Sequence, residues 1–221
     1  MKKFLLNSSL ALLSSFMLFQ VPVLASGLQV ADINLDAPSP NIYNNFNKDI
    51  DEVFQFLQEN APTTGMGVET FKFQSSNNEV YEITISTLPD GVTKDESGYE
   101  ELPVNPSTNY TTRITINRLN PNGALGGQIM LTINFATTAR NSSGLIGLDY
   151  KSASWNYTPP WDFEYNDSQT YQTSGSPGEL SFTTQNYIQF KEAVSGMFRR
   201  DQINTQHAVF FGILQVNWNY Y

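Results

Sequence analysis

Residues 128–137, QIMLTINFAT, alternate apolar and polar side chains and decide the fold predicted for this chain. Successive side chains of a β-strand point to opposite sides, so the polar residues Thr132 and Asn134 share one face. The apolar residues share the other face, and they are Ile129, Leu131, Ile133 and Phe135. A strand of this kind belongs to an antiparallel sheet with one buried side and one solvated side.

The same two-residue period recurs from residue 63 onward, in short runs separated by turn residues such as Pro89-Asp90-Gly91. We predict strands over these runs and over a long last segment, which is rich in apolar residues and is expected in the middle of a sheet. The predicted strands are Val68–Gln74, Val80–Leu88, Asn109–Leu119, Gln128–Thr137, Leu145–Tyr157 and Ala208–Tyr220. The chain is therefore predicted to be mainly β (α+β), an antiparallel β-sandwich or meander of about six to seven strands.

Two segments have helical spacing instead. Before the strands, Ser39 can cap a helix, Pro40 suits its first position, and Pro62 follows its end. The apolar residues between these positions share one face, which predicts an amphipathic N-terminal helix, and they are Phe46, Ile50, Val53, Phe54 and Leu57. A second helix is predicted over Gln185–Asp201, before the last strand, from the spacing of its apolar residues.

The first 25 residues have the three parts of a cleavable secretory signal peptide. Lys2 and Lys3 precede an apolar stretch centred on residues 10–19, and small residues end the segment at Ala25. The apolar stretch is shorter than the roughly 20 residues that span a bilayer, so no transmembrane anchor is expected once the signal is removed. We expect a secreted or periplasmic protein with a signal peptide (1–25), an extended leader and amphipathic helix (26–62), and a β-rich domain (63–221).

Composition argues against several classes of function. Cysteine is absent, so no disulfide can form and stability has to come from an ordinary core. Loss of Lys2 and Lys3 with the signal removes two of the twelve basic residues and lowers the net charge from −9 to about −11. A surface of that sign repels polyanions, and the sequence contains no basic stripe to offset it. Nucleic acid is therefore not expected as a partner, and no cofactor is predicted.

Catalysis has little support in the sequence. A serine triad needs a histidine that itself has partners, and a zinc site built on histidine needs two, whereas the sequence contains only His207. We interpret His207 as a polar residue at a strand edge. Two carboxylates suffice for a glycosidase, and Asp162 and Glu164 alternate on one strand face beside aromatic residues. A carboxylate-based glycan hydrolase is therefore one alternative, although strand alternation alone accounts for the pattern.

Five acidic residues crowd the segment 90–101, in which Gly91 and Gly98 can bend the chain. Calcium binds carboxylate oxygens of this kind, but the spacing does not match an EF-hand loop. The acidic residues are Asp90, Asp95, Glu96, Glu100 and Glu101. We interpret the segment as a solvated acidic loop and predict no metal site, with calcium as the cation that this composition would suit.

Residues 155–165, WNYTPPWDFEY, hold five aromatic side chains around Pro159-Pro160, which cannot continue a central strand. Such rings can plug one end of the fold, stack on a glycan or a partner protein, or lie in a lipid headgroup layer. We predict a non-catalytic binding or interaction protein, whose partner is a protein, a glycan or a lipid surface. The predicted contact patch consists of Trp155, Tyr157, Trp161, Phe163 and Tyr165.

The order of the elements suggests a further alternative. An exported β domain, an amphipathic helix near its start and an aromatic cluster on a loop resemble, in outline, actinoporin-type cytolysins. The resemblance covers this order and the fragment from Asn141 to Tyr165. In that family the aromatic cluster binds lipid headgroups and the helix enters the bilayer. The resemblance implies a membrane-active, pore-forming protein that uses the predicted contact patch and the apolar face of the helix.

Overall fold

The structure, a computed structural model, describes residues 41–61, 65–92, 98–100, 103–158, 163–192 and 196–221. It describes the backbone alone at 41–44, 46, 98–100, 163, 165 and 166. The predicted signal peptide and extended leader therefore lie outside the described residues.

The described residues form one helix, α1 (Asn41–Asn60), and ten strands in two antiparallel sheets. The strands are β1 (Met66–Gln74), β2 (Val80–Pro89), β3 (Gly98–Glu100), β4 (Asn109–Leu119), β5 (Leu125–Thr137), β6 (Leu148–Thr158), β7 (Phe163–Ser174), β8 (Ser181–Glu192), β9 (Phe198–Phe210) and β10 (Ile213–Tyr220). One sheet has the order β3-β1-β2-β4-β5-β6, and the other has the order β10-β9-β8-β7. The prediction of a mainly β, antiparallel fold is confirmed, but the described residues contain more strands than predicted.

The two sheets face each other across an apolar core that the alternating strands supply. Tyr81, Ile83 and Ile85 of β2 are almost completely buried. The same holds for the apolar residues that alternate along β5, which are Ile129, Leu131, Ile133 and Phe135. Phe135 of β5 contacts Phe182 of β8 with ring centroids 5.7 Å apart, which joins the sheets directly. The one-sided alternation of the sequence therefore identifies the buried face of these strands correctly.

Helix α1 forms where the sequence predicts it and covers one side of the core. Its apolar residues Ile50, Val53, Phe54 and Leu57 are buried. Phe56 contacts two rings of β1, Phe71 and Phe73, and Phe54 stacks on Tyr220 of β10 at 4.0 Å. The apolar face of α1 is thus part of the core shared by both sheets. None of the helical residues described forms a segment long and apolar enough to cross a bilayer.

The predicted second helix over Gln185–Asp201 is wrong, because its described residues belong mainly to strands β8 and β9. Burial alternates strictly along β8, but polar Thr184 and Asn186 occupy inward positions beside Phe182, Ile188 and Phe190. The buried polar residues bond each other across the strands: Thr184 Oγ1 lies 2.8 Å from Thr205 Oγ1 of β9. Because polar residues occupy inward positions of β8, its sequence does not alternate between apolar and polar residues as a one-sided strand would.

The predicted last strand, Ala208–Tyr220, is also wrong in its extent and position. A turn at Phe211-Gly212 divides it into the end of β9 and the whole of β10, which pair as a hairpin. β10 is the outermost strand of its sheet rather than a central one. Backbone bonds from Gly65 N to Leu214 O and from Val104 N to Gly212 O cover part of its outer edge.

The antiparallel order gives the fold two distinct ends. At the end that we call the cleft end, β2, β5, β7 and β9 finish and β4, β6, β8 and β10 begin. The connections 138–147, 175–180 and 211–212 meet there, whereas β6 ends and β7 begins at the opposite end.

Candidate functional site

An open cleft of about 460 Å³ lies at the cleft end, between the β9–β10 hairpin and the connection from β5 to β6. Four large apolar side chains that line it are unusually exposed. They are Leu145 at 50%, Leu180 at 45%, Phe210 at 53% and Phe211 at 91%, and together we call them the apolar rim. Contiguous exposed apolar surface of this kind is typical of interaction sites rather than of a solvated end.

The β9–β10 turn holds the most exposed ring of the apolar rim. Phe211 and Gly212 are its two central residues and have φ angles of 50° and 81°. Positive φ at both positions is typical of a type I′ hairpin turn, which ordinarily uses Asn-Gly. Phenylalanine is rare in this left-handed conformation, so Phe211 carries a local backbone cost. Its ring stands edge-on to Phe210, with centroids 4.6 Å apart.

The connection between β5 and β6 is held in shape by the side chain of Asn141. Its Oδ1 accepts hydrogen bonds from the backbone N–H groups of Ser143 and Leu145, both at 2.9 Å. The backbone N–H of Asn141 donates in turn to the carbonyl of Leu145 at 2.9 Å. Both backbone polar groups of Leu145 are therefore paired, and its exposed side chain is presented by an ordered loop.

The third element of the cleft end, the connection 175–180, lies directly against the β5–β6 connection. A Cβ atom on Gly147 would lie 2.0 Å from the carbonyl oxygen of Gly178, so the two backbones leave no room for a side chain. Backbone bonds from Leu148 N to Glu179 O and from Val209 N to Leu180 O fix the contact and place Leu180 on the rim. The rim is therefore built on hydrogen-bonded backbone from three connections.

Among the described residues that line the cleft, Arg140 is the one that carries a charge. Its Nη1 donates to the carbonyl of Gly144 at 3.1 Å, which holds the guanidinium beside the loop that carries Leu145. The remaining guanidinium donors can reach an acceptor on a partner, since Arg140 is exposed. The described part of the site thus combines exposed apolar side chains with the positive charge of Arg140.

The structure describes the predicted contact patch in part. Trp155 and Tyr157 of β6 are half-buried and pack against the core, and Tyr157 contacts Phe190 with centroids 5.3 Å apart. Nε1 of Trp155 is buried without a hydrogen-bond partner among the described atoms. Trp161 lies outside the described residues, and Phe163 and Tyr165 are described only as backbone in β7. The first two rings therefore contribute to the interior as well as to any surface they share with the others.

The predicted carboxylates can be placed only in part. Glu164 is exposed on β7 opposite Lys191 of β8, while Asp162 lies outside the described residues. In the acidic segment, the carboxylate of Asp90 accepts a hydrogen bond from Thr111 at 3.0 Å. Glu100 is described only as backbone. The other three acidic residues, Asp95, Glu96 and Glu101, lie outside the described residues. Within the described residues, no group of three or more histidine and acidic side chains could hold a metal ion.

His207 lies in the interior, and its interpretation as a polar residue at a strand edge is wrong. It is fully buried on β9, stacks on Phe182 at 4.6 Å, and its Nε2 lies 3.0 Å from Thr112 Oγ1 of the facing sheet. Burial lowers its pKa from 6.5 to about 3. The ring is therefore neutral at ordinary pH and bridges the two sheets away from solvent.

A second interior polar cluster, which the sequence analysis did not anticipate, joins α1 to the sheet. The guanidinium of Arg199 donates to the buried carboxylate of Asp201 at 2.6 Å, to Asp51 at 2.8 Å and to the backbone carbonyl of Asn47 at 2.9 Å. The hydroxyl of Tyr220 donates to Asp201 at 2.6 Å. Burial raises the pKa of Tyr220 far above its usual value, and the negative charge of Asp201 and this hydrogen bond raise it further. Paired in this way, the charges hold α1 in place.

Sequence reasoning missed the apolar rim because it treated Phe210 and Phe211 as parts of one long strand. The signal that could have found them is the glycine after two phenylalanines inside a long apolar run, at the point where a two-residue turn fits. Leu145 and Leu180 carry no such signal, since only the meeting of three connections brings them to the cleft.

Comparison of the chain with family models, with curated proteins and with solved structures gives no match.

Proposed function

We propose that this chain is an exported, non-catalytic binding protein that contacts its partner through the apolar rim of the cleft end. The observation that carries the proposal is the exposure of Leu145, Leu180, Phe210 and Phe211 around one cleft. Exposed apolar surface is costly in water and favourable once covered, so the rim gives a binding partner a large hydrophobic contribution. The proposal moves the principal contact from the aromatic segment 155–165 to the opposite end of the fold.

The way in which the rim is held supports a binding function. Leu145 and Leu180 lie on connections whose backbone is fixed by hydrogen bonds, and Phe210 and Phe211 lie on a hairpin of paired strands, so little conformational freedom is lost when a partner covers them. Phe211 also occupies a backbone conformation that costs energy and gains no contact with the core in return. A ring retained at such a position fits a role outside the core.

The packing of α1 favours binding over pore formation. A pore-forming mechanism of the kind implied by the resemblance requires the helix to leave the domain. That step would expose Ile50, Val53 and Phe54, which are buried in the core, and would separate Arg199 from Asp51. We therefore propose contact by the folded domain, with α1 retained in its place.

A dye that reports apolar surface tests the proposal. Nile red is neutral and fluoresces strongly in apolar surroundings, so it is expected to bind the folded protein at the cleft end. Phe211→Asn and Leu180→Ser should each weaken the fluorescence increase, whereas the matched control Leu125→Ser should leave it unchanged. Leu125 is 49% exposed and lies at the opposite end of the fold. Equal loss with the control variant would show that the cleft end is not the binding surface.

A further inference from the structure

We infer that the partner of the apolar rim is the surface of a zwitterionic phospholipid bilayer, an inference that rests on the proposed function of the cleft end. The rim protrudes: Phe211 is 91% exposed at the tip of a two-residue turn, and Phe210, Leu145 and Leu180 surround the cleft beside it. Apolar side chains that project from one end of a rigid domain can enter the boundary between headgroups and acyl chains without any change of fold.

Several backbone groups around the rim already have hydrogen-bond partners within the protein. The carbonyl of Gly212 accepts from Val104 N at 2.8 Å, and that of Leu180 accepts from Val209 N at 2.8 Å. At Leu145 the N–H donates to Asn141 and the carbonyl accepts from Asn141, both at 2.9 Å. The acyl region of a bilayer, unlike a protein groove, offers no hydrogen-bonding groups to replace lost water, so prior pairing of these groups lowers the cost of insertion.

The distribution of charge selects the class of lipid. The chain has a net charge of −9, which opposes an anionic bilayer. A zwitterionic headgroup such as phosphatidylcholine instead presents its cationic group outermost and its phosphate underneath. The acidic domain suits the outer layer. Arg140 lines the cleft beside the rim, where its guanidinium can bind phosphate.

Co-sedimentation with phosphatidylcholine vesicles tests this inference. The protein is expected to bind these vesicles without releasing a trapped dye, because α1 stays in the core. Phe211→Asn should weaken binding roughly 30-fold, which is the contribution of burying one phenyl side chain. Asparagine accepts the left-handed conformation of residue 211, so this variant keeps the turn and separates loss of binding from loss of folding.

Two further variants and a second vesicle composition complete the test. Leu125→Ser, at the opposite end, should bind as the unaltered protein does, and Arg140→Gln should bind several-fold more weakly. Vesicles rich in phosphatidylglycerol should bind less than phosphatidylcholine vesicles. Nile red binding at the rim without vesicle binding, or a preference for the anionic vesicles, would overturn the bilayer assignment and leave the proposed function standing. Absence of both dye and vesicle binding would overturn the proposed function itself.

Discussion

Acidification from pH 7 to pH 5 is expected to lower the free energy of unfolding by about 2 kcal/mol through His207 alone. The folded state keeps this side chain neutral, because burial lowers its pKa to about 3, whereas the unfolded chain takes up a proton near pH 6.5. Between these two pKa values the unfolded state binds more protons, so stability falls as the pH falls. The effect begins near pH 6.5 and approaches about 1.4 kcal/mol for each further pH unit.

Urea unfolding followed by tryptophan fluorescence at half-unit steps from pH 7.5 to pH 5 measures this slope. Since His207 is the one histidine of the sequence, the slope in this range can be assigned to it with a single variant. In His207→Phe the ring can still stack on Phe182 but cannot titrate, and most of the pH dependence between pH 7 and pH 5 should disappear. An equal slope in the variant would refute the placement of a neutral histidine between the sheets.

Three further substitutions test other parts of the structure. Arg199→Met should lower the free energy of unfolding by about 3–5 kcal/mol, because it leaves the buried carboxylate of Asp201 without its cation. Arg118→Met removes a half-exposed ion pair with Glu79 and should lower the free energy of unfolding by about 1 kcal/mol or less. Similar losses for the two variants in urea unfolding would contradict this difference. Gly147→Ala should lower the free energy of unfolding by about 3 kcal/mol, and with it the thermal midpoint, since its Cβ would lie 2.0 Å from the carbonyl oxygen of Gly178. An unchanged midpoint would show that the connections 138–147 and 175–180 are not in contact. Phe211→Asn should raise stability by about 1 kcal/mol while it weakens binding at the rim, so a loss of stability in the same urea assay would speak against a strained turn.

The sequence was sufficient where the inward face of a strand is apolar by residue type. β4 begins and ends at the predicted residues, Asn109 and Leu119, and the apolar residues that alternate along β2 and β5 are buried. Helix α1 was equally clear, because its apolar residues share one face and prolines flank it. In these elements local pattern and tertiary burial agree, which is the condition under which periodicity is informative.

The pattern failed where polar side chains occupy buried positions. Inward residues of β8 and β9 include Thr184, Asn186, Asp201, Thr205 and His207, all almost completely buried. A burial pattern read from hydropathy treats such residues as solvent-facing, so the remaining apolar residues took on an apparent helical spacing. Their partners explain why these polar side chains can lie inside. Thr112 of the facing sheet contacts His207, Arg199 and Tyr220 donate to Asp201, and Thr184 pairs with Thr205.

The candidate site was the least predictable part of the molecule. The apolar rim is assembled from three connections that are far apart in the sequence, and its exposure depends on how the two sheets end together. The aromatic residues of segment 155–165 were conspicuous in the sequence, yet the two described side chains, Trp155 and Tyr157, pack against the core. The aromatic residues of this segment therefore indicated side chains that pack against the core at least as much as a contact surface.

Hydrogen–deuterium exchange of the folded protein, with and without phosphatidylcholine vesicles, tests the central claim most directly. Binding through the apolar rim predicts slower exchange on vesicles at residues 140–146 and 210–213, the loop and the hairpin tip that carry Arg140 and most of the apolar rim, with no change at α1. Slower exchange confined to segment 155–165, or faster exchange throughout α1, would contradict the account and favour contact through the aromatic segment or release of the helix.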